Sequence, residues 1–172
     1  MIESREYQTD FLKKLIDNQV QFIVCGGVAA VLHGVERLTI DLDIALNMTD
    51  ENLRNFLSVM KEQHMVPRAP VPPESILDRN LLKYFVENKG AVVFTFLDPD
   101  YPYKQIDFFL TADKSYPELI RDTVDITLEP GYTFKILTVS RLLAMKMSIN
   151  SPRAKDLQDI AALKKLTGLN HV

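Results

Sequence analysis

The chain of 172 residues is about the length of one domain and is long enough to bury a hydrophobic core. Hydrophobic residues make up 47% of it and charged residues 25%, which excludes a disordered or collagen-like chain. The formal net charge of -3 gives no overall basic field of the kind that marks many nucleic-acid-binding proteins. The single cysteine, Cys25, cannot form an internal disulfide, and no stretch reads as a signal peptide or membrane span. We therefore expect a cytoplasmic protein with no membrane partner.

The first half of the chain predicts helices that alternate with short strands. Apolar residues at helical spacing and stop signals such as glycine define these elements. In chain order they are a helix over about 4–18, a strand at 22–25, a helix from the Gly26-Gly27 pair to Gly34, a strand at 38–46, a helix capped by Asp50 that runs to about His64, and a helix from about Glu74 to before Gly90. Prolines between residues 67 and 73 predict a loop.

The second half predicts two hairpins and two closing helices. The strands are expected at 91–98, 104–110, 124–129 and 132–138, with a type II turn at Pro130-Gly131, and the helices begin near Thr138 and at Ser151-Pro152. This order favours an α+β fold over a doubly wound parallel sheet. We predict a single domain over 1–172, with a core over about 1–112 and a C-terminal hairpin and helices over about 113–172.

Two aspartates interrupt the apolar strand LTIDLDIAL. Side chains alternate between the faces of a strand, so Asp41 and Asp43 share one face while Ile40, Leu42 and Ile44 are expected to face the core. Two carboxylates about 6.5 Å apart repel by roughly 2.5 kcal/mol at an effective dielectric near 20. In a cleft, such a pair requires a cation.

A third carboxylate, Asp107, alternates with Ile106 and Phe108 in KQIDFFL. If the two strands are neighbours, three carboxylates converge, and oxygen-only ligands with open positions are how proteins hold Mg²⁺. The preceding Gly26-Gly27 pair supplies backbone N–H groups at a helix start, which can bind phosphates, and Arg37 adds a cation.

Other interpretations of the aspartate pair remain open from the residues alone. A solvated strand face is the structural alternative, and glycosyltransferases also use Asp-x-Asp, although in larger domains. An EF-hand is excluded because Ala45 and Leu46 stand where an oxygen ligand and a glycine are required. P-loop, Rossmann and zincin motifs are absent from the sequence.

The stretch GGVAAVLHGVERLTIDLDI resembles the signature of the DNA polymerase β-type nucleotidyltransferases, and especially of the small bacterial branch with the AbiEii-like abortive-infection toxins. That branch often shows Gly-Gly followed by Arg-x-Thr-x-Asp-x-Asp, as in Arg37 to Asp43. The resemblance extends to Asp107 and to a C-terminal Lys146 followed by RAKDLQDI. Serine is common in the superfamily at the position of Gly27.

The resemblance implies a mixed sheet flanked by helices, with further helices at the C-terminus, and Mg²⁺-dependent transfer of a nucleoside monophosphate from a triphosphate such as ATP. Asp41, Asp43 and Asp107 would be the catalytic residues and would hold two Mg²⁺ ions, with Mn²⁺ as a substitute. The nucleotide would be bound by five further residues: Gly26, Gly27, Arg37, Thr39 and Lys146.

The acceptor hydroxyl stays open between a tRNA end, a protein and a small molecule such as an antibiotic. An antitoxin or a second copy of the chain is an expected partner. Two alternatives to the enzyme are a catalytically degenerate module that binds a nucleotide or partner, and a purely structural protein, for which Asp41, Asp43 and Asp107 would have to diverge in space.

The remaining candidates have structural explanations. In RAKDLQDI, ion pairs within the helix, Arg153 with Asp156 and Lys155 with Asp159, would account for the charges. His33 is expected to be a packed or capping residue and Cys25 a buried one. The phenylalanines at 94, 96, 108 and 109 are expected in the core, with the option that a base stacks on one of them at the cleft edge.

Overall fold

The computed structural model describes residues 2–168, with side chains from residue 6 onward. The seven helices described are α1 (Ile2–Asp17), α2 (Gly26–Leu32), α3 (Asp50–Glu62), α4 (Arg79–Lys89), α5 (Tyr116–Leu119), α6 (Val139–Met147) and α7 (Ala154–Leu166). The strands are β1 (Phe22–Val24), β2 (Leu42–Leu46), β3 (Val66–Pro67), β4 (Val93–Leu97), β5 (Gln105–Phe109), β6 (Thr123–Glu129) and β7 (Tyr132–Leu137). Short 3₁₀ turns lie at Pro73–Leu77, Ala112–Lys114 and Ile120–Asp122.

All seven strands form one mixed sheet in the order β3-β4-β5-β2-β1-β7-β6. The central pairs are β2 with β5 and β1 with β7, both parallel, whereas β1 and β2 are antiparallel. Both predicted hairpins, β4 with β5 and β6 with β7, are confirmed. The predicted α+β fold, a mixed sheet flanked by helices, is therefore confirmed, and the C-terminal strand β7 pairs directly with β1.

The core lies between the sheet and the helices that pack on it. Phe56 of α3 meets Phe96 and Phe108 edge to face at 5.7 and 5.8 Å between ring centroids. Such tilted contacts between aromatic rings are the favoured geometry. Within residues 2–168, no helix is long and apolar enough to cross a membrane.

The strand that carries the aspartates is shorter than predicted. It begins at Leu42, so Asp41 immediately precedes it and Ile40 is 41% exposed instead of facing the core. The reason is the register with the two neighbouring strands: pairing with β1 reaches only to Ile44, and pairing with β5 begins with Leu42 opposite Ile106. Residues before Leu42 have no register partner on either side.

Three predicted helix starts are corrected by local capping. Thr49, and not Asp50, caps α3, because its side chain accepts a hydrogen bond from the N–H of Asn52. The helix expected from Glu74 starts only at Arg79, after a 3₁₀ turn that follows Pro72, and Asp78 caps it. The last helix begins at Ala154, two residues beyond the predicted Ser151-Pro152 start.

Candidate active site

The parallel pairing of β2 with β5 places the predicted carboxylates on adjacent strands. Asp43 and Asp107 are direct register partners, and Asp41 stands two residues before Asp43. Neighbouring strands lie about 4.8 Å apart, so the backbones of Asp43 and Asp107 are well within the roughly 8 Å that a shared metal site allows. A purely structural protein would require these residues to diverge in space. The pairing of β2 with β5 keeps Asp43 and Asp107 together instead.

The glycine pair at the start of α2 lies directly against Asp43. Gly26 has a φ of +55°, and a Cβ built on it would stand 1.9 Å from Oδ2 of Asp43. Only glycine therefore fits, both for its backbone conformation and for its contact with the carboxylate. The N–H of Gly27 acts on the Asp43 carboxylate so as to lower its pKa. The start of α2 and the end of the aspartate motif are thus one packed unit.

The carboxyl groups of Asp43 and Asp107 both have a raised pKa. Burial first, and then the charges of Asp107 and Asp41, raise the pKa of Asp43 to about 6, although Lys146 and the Gly27 N–H oppose the shift. Burial also raises the pKa of Asp107, against the hydrogen bond from Thr95. A carboxylate that is disfavoured by neighbouring carboxylates is typical of functional sites, and an added cation would relieve it.

The carboxylates fit a divalent cation by their chemistry, but they are not yet gathered around one point. In the part of the chain that the structure describes, no three His, Cys, Asp or Glu side chains are arranged as ligands of one metal ion. One oxygen of Asp107 instead accepts a hydrogen bond from the Thr95 hydroxyl at 2.5 Å. The all-oxygen donor set suits Mg²⁺, and the mutual repulsion of the acids supplies the reason for binding it.

Arg37 and Thr39 pack on Gly27 from the segment that leads into β2. A Cβ on Gly27 would stand 2.6 Å from Oγ1 of Thr39 and 3.1 Å from the guanidinium of Arg37. The Arg37 guanidinium is bonded to the carboxylate of Asp159 in α7. The space that a serine side chain would need at position 27 is therefore already filled by these two side chains.

Lys146 of α6 is held by two buried acids of α7. Its ammonium lies 2.7 Å from Asp156 and 2.9 Å from Asp159. Asp156 also accepts hydrogen bonds from the backbone and the side chain of Arg153, and the Arg153 and Lys146 cations hold the pKa of Asp156 well below its usual range. Together with Arg37, these residues form the α7 ion network.

The ion network confirms one predicted pair and corrects the other. Arg153 pairs with Asp156 as expected, whereas the partners of Asp159 are Arg37 and Lys146 and not Lys155. The sequence does carry a signal for this role, because Asp156 and Asp159 are three residues apart and so share one helix face. Their partners, on distant elements, could not be identified from that spacing.

Two cavities share Asp159 as a lining residue. The larger, of about 480 Å³, lies between residues 35–41 and α7 and reaches Asp41. The smaller, of about 180 Å³, contains Gly26 and Asp43 and is closed by Lys146 on the side of α6. The two members of the Asp-x-Asp pair therefore line different cavities.

Several other residues have the structural roles that the sequence predicts. His33 donates from Nε2 to the Leu137 carbonyl at 2.7 Å, and Cys25 is fully buried. Phe94, Phe96 and Phe108 are buried in the core, but Phe109 is only half-buried and lines the smaller cavity.

Thr95, the partner of Asp107, was not among the predicted site residues, although it alternates with Phe94 and Phe96 on the opposite face.

The fold is that of nucleotidyltransferases, as three solved structures show. It is similar to the lincomycin-bound lincosamide antibiotic adenylyltransferase LnuA, with 15% identity, a TM-score of 0.59 and coverage of 96% of this chain and 98% of that chain. It is also similar to the antibiotic-resistance factor ANT(2'')-Ia, with 12% identity, a TM-score of 0.56 and coverage of 92% and 81%. A third likeness is to an antigenic nucleotidyltransferase-like protein from Paracoccidioides brasiliensis, with 14% identity, a TM-score of 0.56 and coverage of 96% and 77%.

The family follows from the sequence itself. Residues 10–172 match the family model described as "Nucleotidyl transferase AbiEii toxin, Type IV TA system", and the chain belongs to this family. Comparison with curated proteins gives no match. The resemblance seen in the glycine pair and the Asp-x-Asp motif is thus confirmed, and the chain is a transferase of the nucleotidyltransferase class.

Proposed function

We propose that this protein transfers a nucleoside monophosphate from a nucleoside triphosphate to an acceptor hydroxyl in a Mg²⁺-dependent reaction that releases pyrophosphate. The observation that carries the proposal is the direct pairing of Asp43 with Asp107, with Asp41 two residues before Asp43 and the α2 glycines packed on the carboxylate. The Asp43 carboxylate thus adjoins the backbone at a helix start, where phosphates bind well, and Asp107 stands beside it on the next strand.

In this proposal the protein chiefly binds and orients its substrates. The backbone at Gly26 and Gly27 supports the triphosphate, and Arg37, Thr39 and Lys146 contribute further contacts. Asp107 faces the acceptor and takes the proton of its hydroxyl, whose oxygen bonds to the α-phosphorus as the bond to pyrophosphate breaks. Asp41, Asp43 and Asp107 would hold Mg²⁺, which would supply charge neutralisation at the phosphates and activation of the hydroxyl; Mn²⁺ is an expected substitute.

The family description supports a toxin role with an antitoxin as partner. The acceptor can then be a tRNA end, a protein or a small molecule. The antibiotic adenylyltransferase among the similar folds gives the small-molecule option a structural parallel. A cytoplasmic location belongs to the same proposal, because nucleoside triphosphates are cytoplasmic substrates.

A catalytically degenerate nucleotide- or partner-binding module is the second candidate. It is favoured by one observation: the cations expected to bind phosphate, Arg37 and Lys146, are already paired with acids of α7. A triphosphate must compete with these internal carboxylates. Such a module would bind nucleotide or partner without releasing pyrophosphate.

Isothermal titration calorimetry with ATP, GTP, CTP and UTP, with and without Mg²⁺, tests the proposal when it is combined with a pyrophosphate assay. We expect Mg²⁺-dependent binding of at least one triphosphate that is lost in the Asp41→Ala, Asp43→Ala double variant. The exposed Asp113→Ala variant is the matched control. Binding without pyrophosphate release from any acceptor mixture would favour the module, and no binding of any triphosphate would contradict both candidates as nucleotide-binding proteins.

A further inference from the structure

The smaller cavity beside Asp43 is lined by two chemically different sets of residues. Beside Gly26, the charged set consists of the acids Asp43, Asp156 and Asp159 and the cations Lys114, Lys146 and Arg153. The apolar set includes Phe109, Leu142, Met145, Ile149 and Leu163. A nucleotide has the same division, with charged phosphates at one end and a flat, largely apolar base at the other.

Phe109 is the aromatic residue among the lining residues of this cavity. It lies on β5 two residues after Asp107, so both side chains leave the same face of the sheet. Its neighbours Phe94, Phe96 and Phe108 are buried in the core, whereas Phe109 is half-buried with part of its surface in the cavity. An aromatic surface left open in the same cavity as Gly26 and Asp43 offers a base a place to stack.

Lys114 covers this ring. Its ammonium lies 5.5 Å from the centroid of Phe109, and both side chains line the cavity. Among residues 6–168, whose side chains are described, no carboxylate lies within 4 Å of the Lys114 ammonium. A partly exposed cation–π contact is weak, so the lysine can move off the ring without leaving a buried ion unpaired.

We propose that Phe109 is the platform on which the base of the nucleoside triphosphate stacks, and that Lys114 moves from the ring to the outer face of the bound base. This inference rests on the proposed function and assigns the base-binding end of the same site. The Lys114 ammonium then contacts the π face of the base instead of the Phe109 ring, and the base lies between Phe109 and Lys114. Neither residue contacts the phosphates.

The test compares nucleoside triphosphates with inorganic tripolyphosphate, which has the phosphates but no base. Affinities are measured by calorimetry with Mg²⁺ for wild type, Phe109→Leu and Phe109→Tyr. Loss of the ring is expected to weaken triphosphate binding about tenfold or more and to leave tripolyphosphate binding unchanged, because stacking on an aromatic side chain is lost. The tyrosine variant keeps a ring and should bind within about threefold of wild type.

Two matched variants control for general effects. Phe85→Leu removes another half-buried ring, one that packs on Phe94 from α4 outside the cavity. Lys104→Met removes a lysine that also lies over aromatic rings, at 4.9 Å from Tyr7, but that does not line the smaller cavity. Both should bind like wild type, whereas Lys114→Met should weaken triphosphate binding a few-fold without affecting tripolyphosphate.

The results separate this inference from the proposed function. Two results would overturn the base platform and leave nucleotidyl transfer standing. One is equal triphosphate affinity for wild type and Phe109→Leu. The other is a Phe109→Leu variant whose affinity for tripolyphosphate falls as much as its affinity for triphosphate. Wild type that binds no triphosphate at all would overturn the proposed function, and the base platform with it. Thermal melting of each variant confirms that binding is compared between folded proteins.

Discussion

The ionised side chain of Asp43 lowers the stability of the metal-free folded protein. Burial and two neighbouring carboxylates raise its pKa to about 6, so the folded protein binds a proton there more tightly than the unfolded chain does. The stability contribution of a carboxyl with a raised pKa is present at low pH and is lost as the pH rises through the folded-state value. Above pH 6, the ionised Asp43 therefore destabilises the metal-free protein.

The Asp43→Asn variant should consequently be more stable than wild type at pH 8 when no metal is present. Because a shift of one pKa unit corresponds to about 1.4 kcal/mol, the gain is expected to be about 2 to 3 kcal/mol at most. It should shrink below about pH 4, where Asp43 is protonated in both states. Thermal melting across this pH range measures it, with the exposed Asp113→Asn as control; a destabilised Asp43→Asn protein at pH 8 would contradict the account.

Gly27 is required for space and not for its backbone conformation, since its φ is not positive. The Thr39 hydroxyl and the Arg37 guanidinium occupy the volume where a Cβ would project. A serine side chain at position 27 would have to share this volume with Thr39 and Arg37. The start of α2 therefore has a guanidinium beside it where a serine hydroxyl would otherwise stand.

Gly27→Ser should thus destabilise the protein by about 1 to 3 kcal/mol through overpacking. The double variant with Thr39→Ala should recover much of that loss, because the atom at 2.6 Å has been removed. A double-mutant cycle by denaturant unfolding, with Thr39→Ala alone as the reference, measures the coupling. Additive effects of the two substitutions would show that Thr39 does not limit the space at position 27.

At the scale of elements, ion pairs link α7 to α6 and to the segment before β2. Asp156 is 1% exposed and accepts bonds from Lys146 of α6 and from Arg153 before α7. Asp159 reaches Arg37, which precedes β2. Buried carboxylates with several donors are costly to disrupt, since removing one partner leaves the others unpaired in a poorly solvated place.

Asp156→Asn should reduce the free energy of unfolding by about 3 kcal/mol at neutral pH. The exposed Asp125, which pairs with Lys135 at 2.8 Å, provides the matched control, and Asp125→Asn should cost less than about 1 kcal/mol. Because the cations depress the pKa of Asp156, its contribution is present at neutral pH and falls away as the solution is acidified. Equal losses of unfolding free energy in both variants would show that the α7 ion network does not stabilise the fold.

The elements also show what the sequence can and cannot reveal. The alternation of apolar and acidic residues was sufficient to place Asp43 and Asp107 on the polar faces of their own strands, because side-chain period is a local property. The pairing of these two strands was only a condition of the prediction and comes from the structure. The start of β2 could not be placed, since it depends on which residues of the distant strand β5 lie beside it. The partners of Asp159 were missed for the same reason: Arg37 lies 122 residues away in sequence.

At the scale of the whole molecule, the order of strands gathers the site from distant parts of the chain. The parallel pairs β2 with β5 and β1 with β7 bring both halves of the sequence into one sheet, and α6 and α7 then close over the glycine pair. Each half is incomplete by itself: the first supplies the Asp-x-Asp motif and the second supplies Asp107, Lys146 and the α7 acids. This explains why the family match extends over nearly all of the chain.

The central claim is nucleotidyl transfer at Asp41, Asp43 and Asp107, and the most direct measurement follows labelled phosphorus. The protein is incubated with Mg²⁺, bacterial extract and triphosphates labelled at either the α- or the γ-phosphate. We predict that α-label joins an acceptor and γ-label appears in pyrophosphate, and that Asp107→Asn abolishes both while Asp113→Asn does not. Transfer of γ-label to an acceptor, or α-label transfer that persists in Asp107→Asn, would contradict the claim.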